Sequence, residues 1–149
     1  MISFIKIIIF FLVCNTLFAK EYKIEMYFTT NTIIMDLPEN NKYYHVTAPA
    51  IWKDSNGDYG NLMCYGRIIS NTIKGTELDL YCNAKNQENN QFWFRMRRDS
   101  SEMDAGIGIS KYLDGTGKYK SFKGIKCKYA AKLFEDNSIV IQKCEVNKF

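Results

Sequence analysis

The strongest constraint on the fold is an alternation of apolar and polar residues that runs through residues 61–98. If the chain turns at residues 71–75, Cys64 faces Cys82, the apolar residues share one face, and Tyr65 lies beside Tyr81 on the other. A slip of one residue would move every apolar side chain to the opposite face, so this register is strongly specified. The pattern therefore predicts an antiparallel hairpin at the centre of the fold.

A third alternating segment predicts a second turn at residues 83–90, with Leu80 facing Phe94. On the polar face this register predicts three cross-strand pairs, which are Trp93 with Tyr81, Arg95 with Asp79, and Arg97 with Glu77. Aromatic pairs and opposite charges at such positions contribute roughly 0.2–1 kcal/mol each. Because Glu77 and Asp79 have arginine partners here, they are assigned to a charge ladder rather than to a pair of catalytic carboxylates.

The N-terminal residues are typical of a secretory signal peptide. Lys6 precedes an uncharged apolar stretch, residues 7–13, and Ala19 is a small residue at the expected cut. We predict that residues 1–19 are removed and that the mature domain, residues 20–149, is periplasmic or secreted. Two alternatives stay open: a retained anchor helix, although the stretch is shorter than the ~20 residues that span a bilayer, and lipid attachment at Cys14.

Four cysteines remain in the mature chain, which are Cys64, Cys82, Cys127 and Cys144. An even number in an exported chain predicts two disulfides. The ladder pairs Cys64 with Cys82, and a closing hairpin folded at residues 134–138 pairs Cys127 with Cys144. Opposed residues in such hairpins have Cα atoms about 4.5–5.5 Å apart, which a disulfide tolerates. Zinc is the competing interpretation, but the sequence has no Cys-x-x-Cys pair, and neither a metal nor another cofactor is predicted.

The other segments of the mature chain also favour strands. Residues 21–30 alternate, and residues 31–37 continue this pattern until Pro38. Residues 43–53 form a further extended run, in which Pro49 indicates a sheet edge or a bulge because proline lacks the N–H that pairs strands.

The C-terminal third is predicted to begin with a connection and to end with a hairpin. Residues 99–109 break the alternation and have room for a helical turn, whereas residues 119–132 and 138–146 can form the closing hairpin. Several short strands with closely spaced turns are typical of a sandwich or barrel. We therefore predict an all-β fold, a single antiparallel barrel of about eight strands.

The segment Leu113-Asp114-Gly115-Thr116-Gly117-Lys118-Tyr119, continuing to Gly124, resembles the Gly-Gly-Thr-Gly-x-Phe signature of the dirigent and allene oxide cyclase barrels. Asp114 replaces the first glycine and Tyr119 the phenylalanine. The resemblance implies an eight-stranded calycin-type barrel with a lumen for a small hydrophobic molecule. Enzymes of this type guide radical coupling or cyclise an epoxide mainly by positioning the substrate. None of their catalytic residues falls within this segment, so no catalytic residue is assigned.

Charge and composition narrow the functional classes. Removal of Lys6 lowers the formal charge from +4 to +3, and the charges are mixed along the chain, which argues against nucleic acid as a partner. The cluster Arg95, Arg97 and Arg98 is assigned to a solvated strand face. His45 is the only histidine, and we assign it a structural rather than a catalytic role near the barrel mouth.

The candidate ligand-binding residues are four aromatic residues and one arginine: Trp52, Tyr65, Tyr81, Trp93 and Arg95. If the apolar face of the ladder points into the barrel, the ladder members of this set form an outward row suited to a partner or an oligomer contact. If the other face lines the lumen, they form a ligand site. The outward interpretation is favoured because the opposite face, with Leu80 and Phe94, needs burial; isolated surface rings are a third interpretation.

We therefore expect an exported, non-enzymatic protein that binds a small hydrophobic or aromatic ligand inside its barrel. One alternative is an isomerase or cyclase of the same barrel type, which would need a polar side chain projecting into an open cavity. Another is an interaction module that uses the aromatic row, with a homo-oligomer as one outcome. After cleavage of the signal peptide, no membrane partner is expected.

Overall fold

The computed structural model of the protein describes residues 20–146, which form nine antiparallel strands and one short 3₁₀ helix. The strands are β1 Lys20–Thr29, β2 Asn31–Leu37, β3 Asn41–Asp54, β4 Tyr59–Asn71, β5 Gly75–Asn86, β6 Gln91–Ser100, β7 Ala105–Gly115, β8 Lys126–Phe134 and β9 Asn137–Val146, and the helix is Gly117–Phe122. The predicted signal peptide, with Cys14 and the cleavage site after Ala19, lies outside the described residues. Within them, no helix has the length and apolar character needed to cross a bilayer.

Strand β1 closes the barrel because it pairs with β9 on one side and with β3 on the other. The sheet order is β1-β9-β8-β7-β6-β5-β4-β3, with β2 added outside the closed ring and hydrogen-bonded to β3. The predicted fold class, an antiparallel barrel of about eight strands, is confirmed. The ninth strand, β2, exposes its apolar residues Ile33, Ile34 and Met35.

The central hairpin has the predicted register. Cys64 pairs with Cys82, Tyr65 with Tyr81, and Arg67 with Asp79. The two cysteines form a disulfide with a Cα–Cα distance of 4.1 Å. The apolar residues of this hairpin face the interior, as expected from their alternation.

The next hairpin, β5–β6, differs from the predicted register by two residues. Leu80 faces Met96 rather than Phe94, and Phe94 faces Cys82. The turn is shorter than predicted because β5 continues to Asn86, whose side-chain oxygen accepts hydrogen bonds from the backbone N–H groups of Glu88 and Asn90 at 3.0 and 2.8 Å. A shift of two residues leaves every side chain on its predicted face, since strand side chains alternate with a period of two.

Residues 105–115 form strand β7, so the prediction of a connection over residues 99–109 is wrong for most of its length. The alternation of this strand is reversed, because small residues such as Gly106 and Gly108 point inward while Ile107 is 71% exposed. A side chain on Gly108 would overlap the ring of Tyr129 and the backbone oxygen of Arg97. Only glycine fits at this inward position, so the sequence lacks the apolar alternation that is typical of a strand.

The strand predicted to begin at Tyr119 is replaced by the 3₁₀ helix, and β8 begins only at Lys126. Three residues per turn place Tyr119 and Phe122 on the same side of this helix, and both are buried in the barrel. Gly117 and Gly124 have φ angles of +52° and +86°, which glycine adopts without steric cost.

The closing hairpin has the predicted register. Tyr129 pairs with Gln142 and Ala131 with Val140. Cys127 and Cys144 form the second predicted disulfide, with a Cα–Cα distance of 4.4 Å.

The edge or bulge expected at Pro49 corresponds to a change of partner along β3. Up to Thr47 this strand pairs with β2, and from Ala50 it pairs with β1. Pro49 lies between the two, where the absence of its N–H costs no ladder hydrogen bond on that side.

Each disulfide should stabilise the barrel independently, because each closes its own hairpin. We expect the double variants C64A/C82A and C127A/C144A each to lower the free energy of unfolding by about 3 kcal/mol, measured by denaturant titration. A non-reducing peptide map of the unmodified protein should recover Cys64 linked to Cys82 and Cys127 linked to Cys144. Unchanged stability of either double variant would contradict the assignment.

Candidate functional site

One end of the barrel interior is filled by aromatic rings, which we call the aromatic plug. Its members are Tyr22, Trp52, Phe92, Phe94, Tyr112, Tyr119 and Phe122. The ring centroids of Phe92 and Tyr119 are 4.7 Å apart, and those of Trp52 and Phe92 are 5.2 Å apart. The 3₁₀ helix supplies two of the rings, so it closes this end of the barrel.

The hydroxyl groups of the aromatic plug have partners. Tyr22 donates to Asp54 at 2.8 Å and Tyr119 donates to Asp58 at 3.0 Å. The hydroxyl of Tyr112 accepts a hydrogen bond from Gln142 at 2.9 Å. Buried polar groups that are satisfied in this way rigidify a core, so this end of the barrel is structural.

Asp58 is a buried carboxylate at the plugged end. Lys118 lies 2.7 Å from its carboxylate, and Gln87 donates a hydrogen bond to it at 2.8 Å. Burial by itself would raise the pKa of Asp58, but the hydrogen bonds from Lys118, Gln87 and Tyr119 outweigh it, so the pKa lies below its ordinary value. The carboxylate is therefore ionised and paired at neutral pH.

The opposite end of the barrel contains an internal cavity of about 60 Å³, which we call the open-end cavity. Its walls are mostly apolar and include Phe28, Val46, Ile68, Leu80, Met96 and Val140. This volume corresponds to about two water molecules at ~30 Å³ each. The interior is thus packed at one end and incompletely filled at the other.

Arg98 lines the open-end cavity although it is only 2% exposed. Its Nη2 donates to the backbone oxygen of Met103 at 2.7 Å, while Nε and Nη1 are buried without a hydrogen-bond partner. A guanidinium keeps its proton in proteins. The cavity therefore contains a buried positive charge with two unused donor nitrogens.

Tyr129 lines the same cavity, and its hydroxyl is also buried without a partner. Burial raises the pKa of Tyr129 to about 12, even though the nearby charge of Arg98 acts in the opposite direction. The phenol is therefore protonated at neutral pH and available as a hydrogen-bond donor.

The five predicted ligand-binding residues do not lie together. Trp52 is in the aromatic plug, where its indole N–H donates to the backbone oxygen of Asn61 at 3.2 Å. Tyr65, Tyr81, Trp93 and Arg95 lie on the outer face of the barrel, as the favoured outward interpretation expected. Their proposed role in ligand binding stays a prediction.

The outer aromatic row, which comprises Tyr65, Tyr81, Trp93 and Arg95, is ordered by an ion pair. Arg95 donates two hydrogen bonds to Asp79, at 2.7 and 2.5 Å, and its guanidinium carbon lies 5.1 Å from the centroid of the Tyr81 ring. These hydrogen bonds hold the pKa of Asp79 below its ordinary value. The predicted pair of Arg95 with Asp79 thus forms across the diagonal, whereas Glu77 pairs with Arg67 at 3.6 Å rather than with Arg97.

The sequence interpretation missed Arg98 and Tyr129. The assignment of Arg98 to a solvated face is wrong, because it shares the inward face of β6 with Phe94 and Met96. Its position, two residues after Met96, was the signal available in the sequence. Tyr129 was placed correctly in the closing hairpin, but the space for its ring comes from Gly108 on another strand.

A larger depression of about 1080 Å³ lies on the outside of the barrel, where Tyr27, Ile51, Phe134 and Ile139 are exposed. Its charged lining residues, Lys85 and Lys132, are also exposed. It thus offers mainly apolar surface, and Ser138 is the buried polar residue in its lining. His45 is exposed on β3, and residues 20–146 contain no cluster of three or more His, Cys, Asp or Glu side chains that could hold a metal ion.

No family model and no curated protein matches the chain. Among solved structures, the chain is similar to a pterocarpan synthase dirigent protein, with 12% sequence identity and a TM-score of 0.49 over 89% of this chain and 90% of that one.

The charge of Asp58 makes the stability of the plugged end depend on pH. The folded-state pKa lies below the ordinary value of 3.8, so the stabilisation is complete well above pH 3.8 and is lost as the pH falls through the folded-state pKa. We expect D58N to lower the free energy of unfolding at pH 7 by roughly 1–3 kcal/mol and to show a smaller loss on acidification than the unmodified protein. Denaturant titrations at pH 7 and pH 3 measure both effects.

Asp136 provides the control, because it is exposed in the turn between β8 and β9. D136N should retain the stability and the pH profile of the unmodified protein. If D58N and D136N had the same pH profile, Asp58 would not be the group responsible.

Proposed function

We propose that the protein is a non-enzymatic binding protein that takes a small, largely apolar molecule, or the end of one, into its open-end cavity. The observation that carries this proposal is the incompletely filled cavity, which combines apolar walls with unpartnered donors on Arg98 and Tyr129. Apolar walls with a few polar groups are typical of small-molecule sites.

The size of the cavity limits what can enter. Drug-sized ligands occupy pockets of about 300–1,000 Å³, whereas this cavity has about 60 Å³. The aromatic plug occupies the other end of the interior. The group that enters is therefore small, and a bulky aromatic molecule would have to remain largely outside the barrel.

The chemistry of the lining favours binding over proton-transfer catalysis. The ionisable side chains that line the open-end cavity are Arg98 and Tyr129. The guanidinium remains protonated, and the pKa of Tyr129 is raised to about 12 by burial. Both groups donate hydrogen bonds at neutral pH, so an isomerase or cyclase that must remove a proton would lack an acceptor among these side chains.

We propose that the protein acts outside the cytoplasm, either in a periplasm or after secretion. Two disulfides support this location, because disulfides persist in oxidising compartments and are rare in the cytosol. The predicted signal peptide, residues 1–19, is consistent with it.

Filling the cavity should abolish binding without disturbing the barrel wall. Ala131 lines the cavity, whereas its neighbour Ala130 points outward and is exposed. In a thermal-shift screen of straight-chain alcohols and acids, from ethanol and acetate to decan-1-ol and decanoate, we expect at least one compound to raise the melting temperature of the unmodified protein and of A130L but not of A131L. Saturating ligand stabilises a folded protein by roughly 2.7 kcal/mol at a concentration 100 times Kd.

If no compound in the series stabilises the protein, the proposed function is wrong. The same conclusion follows if A131L responds as A130L does. Native mass spectrometry of the compound that gives the largest shift should show one bound molecule per chain.

The outer aromatic row supports a second candidate function, self-association. Tyr65 and Tyr81 are 54% and 50% exposed and lie directly opposite each other on β4 and β5. Arg95 is held above Tyr81 by Asp79. Exposed aromatic residues with an ordered arginine are typical of protein interfaces.

This second candidate predicts a mass greater than that of one chain in light scattering. We expect W93A and the double variant Y65A/Y81A to return the protein to a monomer, because both remove rings from the contact. I73A, which truncates an exposed residue in the turn between β4 and β5, should leave the assembly intact. A monomeric unmodified protein at high concentration would exclude this function.

A further inference from the structure

Among residues 20–146, no carboxylate forms an ion pair with Arg98, the charged residue of the open-end cavity. Arg98 brings a full positive charge to a position that is 2% exposed, and the acceptor within hydrogen-bond distance is the uncharged backbone oxygen of Met103. Burial of a charge without a partner is costly, and a carbonyl oxygen compensates it only in part. At the plugged end, by contrast, the buried carboxylate of Asp58 is paired with Lys118.

Strand β7, which lies between β6 and β8, leaves space for the side chains of Arg98 and Tyr129. An added Cβ on Gly106 would lie 2.9 Å from Cδ of Arg98, and one on Gly108 would overlap the ring of Tyr129. Two inward positions of β7 are thus left without side chains, which gives the guanidinium and the phenol space against this strand. Arg98 and Tyr129 both line the same cavity.

The donor set selects the chemical class of the ligand. Nε and Nη1 of Arg98 need acceptors, and the protonated Tyr129 hydroxyl is a further donor. A carboxylate is acceptor-only and carries one negative charge, which balances one guanidinium. A neutral hydroxyl would accept a hydrogen bond but leave the charge uncompensated, and a phosphate group with about −1.5 to −2 charges would leave an excess of negative charge.

We propose that the open-end cavity binds a short monocarboxylate, whose oxygens accept hydrogen bonds from Arg98 and from the Tyr129 hydroxyl while its carbon chain contacts the apolar walls. This inference rests on the proposed function and names its ligand class. The cavity of about 60 Å³ is close to the size of a carboxylate with one carbon atom attached, so a longer chain would extend out of the barrel.

The test compares butanoate with butan-1-ol, which have the same carbon chain and differ in charge. Dissociation constants are measured by NMR titration of isotopically labelled protein at pH 7, for the unmodified protein and for R98M, Y129F and R97M. Arg97 is the matched control because it is the adjacent arginine and is exposed. Methionine keeps much of the apolar length of arginine without its charge or its donors.

We expect butanoate to bind the unmodified protein and R97M with similar affinity. R98M should weaken butanoate binding by at least about tenfold, the loss expected when a charge-assisted hydrogen bond is removed, and Y129F should weaken it less. The affinity for butan-1-ol should change much less than that for butanoate in these variants, because the alcohol carries no charge. Without ligand, R98M should melt no lower than the unmodified protein, because it removes an uncompensated buried charge.

The outcomes separate this inference from the proposed function. If R98M binds butanoate as well as the unmodified protein does, or if butan-1-ol binds as tightly as butanoate, the carboxylate assignment is wrong although the cavity remains a ligand site. If no member of the acid and alcohol series binds, both are wrong.

A second measurement applies if R98M does not fold. In the unmodified protein, butanoate should shift one arginine Nε–H resonance downfield, as a new hydrogen bond to a carboxylate requires, and butan-1-ol should not shift it. Absence of this shift at saturating butanoate would overturn the inference.

Discussion

Closure of the barrel by the pairing of β1 with β3 is the constraint on which the other features depend. A closed sheet has an interior of fixed volume, and alternate residues of every strand must share it. The aromatic plug fills one end of this volume, and the 3₁₀ helix adds the two rings that complete it. Glycines on β7 are the counterpart of these large residues, because the space they leave is taken by Arg98 and Tyr129.

The parts of the fold that the sequence predicts well are those whose evidence is local. The hairpin of Cys64 and Cys82 and the hairpin of Cys127 and Cys144 are specified by residues close in the chain, so their registers and disulfides could be predicted. The register of β5–β6 was wrong by two residues because such a shift preserves both faces. Strand β7 was missed because its inward positions include glycines. Gly108 leaves space for the ring of Tyr129, which lies on another strand, and a local sequence pattern does not show this contact.

The candidate site was less predictable than the fold, because it also depends on contacts between residues that are distant in the chain. A row of aromatic residues near an arginine is conspicuous in a sequence, and it lies on the outer face, where Arg95 already has Asp79 as its partner. The unpaired arginine, Arg98, is conspicuous only when the face of its strand and the absence of acceptors around it are known together. Conversely, Asp58 at the plugged end is a buried polar group whose hydrogen bonds are satisfied, and it indicates rigidity rather than a ligand.

The disulfides and the strand pairings are distributed unevenly around the barrel. Both disulfides join strands that are consecutive in the chain, β4 with β5 and β8 with β9, and neither crosses the seam between β1 and β3. That seam is also short, extending from Ile24 with Asp54 to Phe28 with Ala50, whereas β3 and β4 run together for most of their length. Local separation of two neighbouring strands of the closed ring would lose the fewest residue pairs at this seam. Because Phe28 belongs both to the seam and to the wall of the open-end cavity, separation of β1 from β3 would enlarge this cavity without breaking a disulfide.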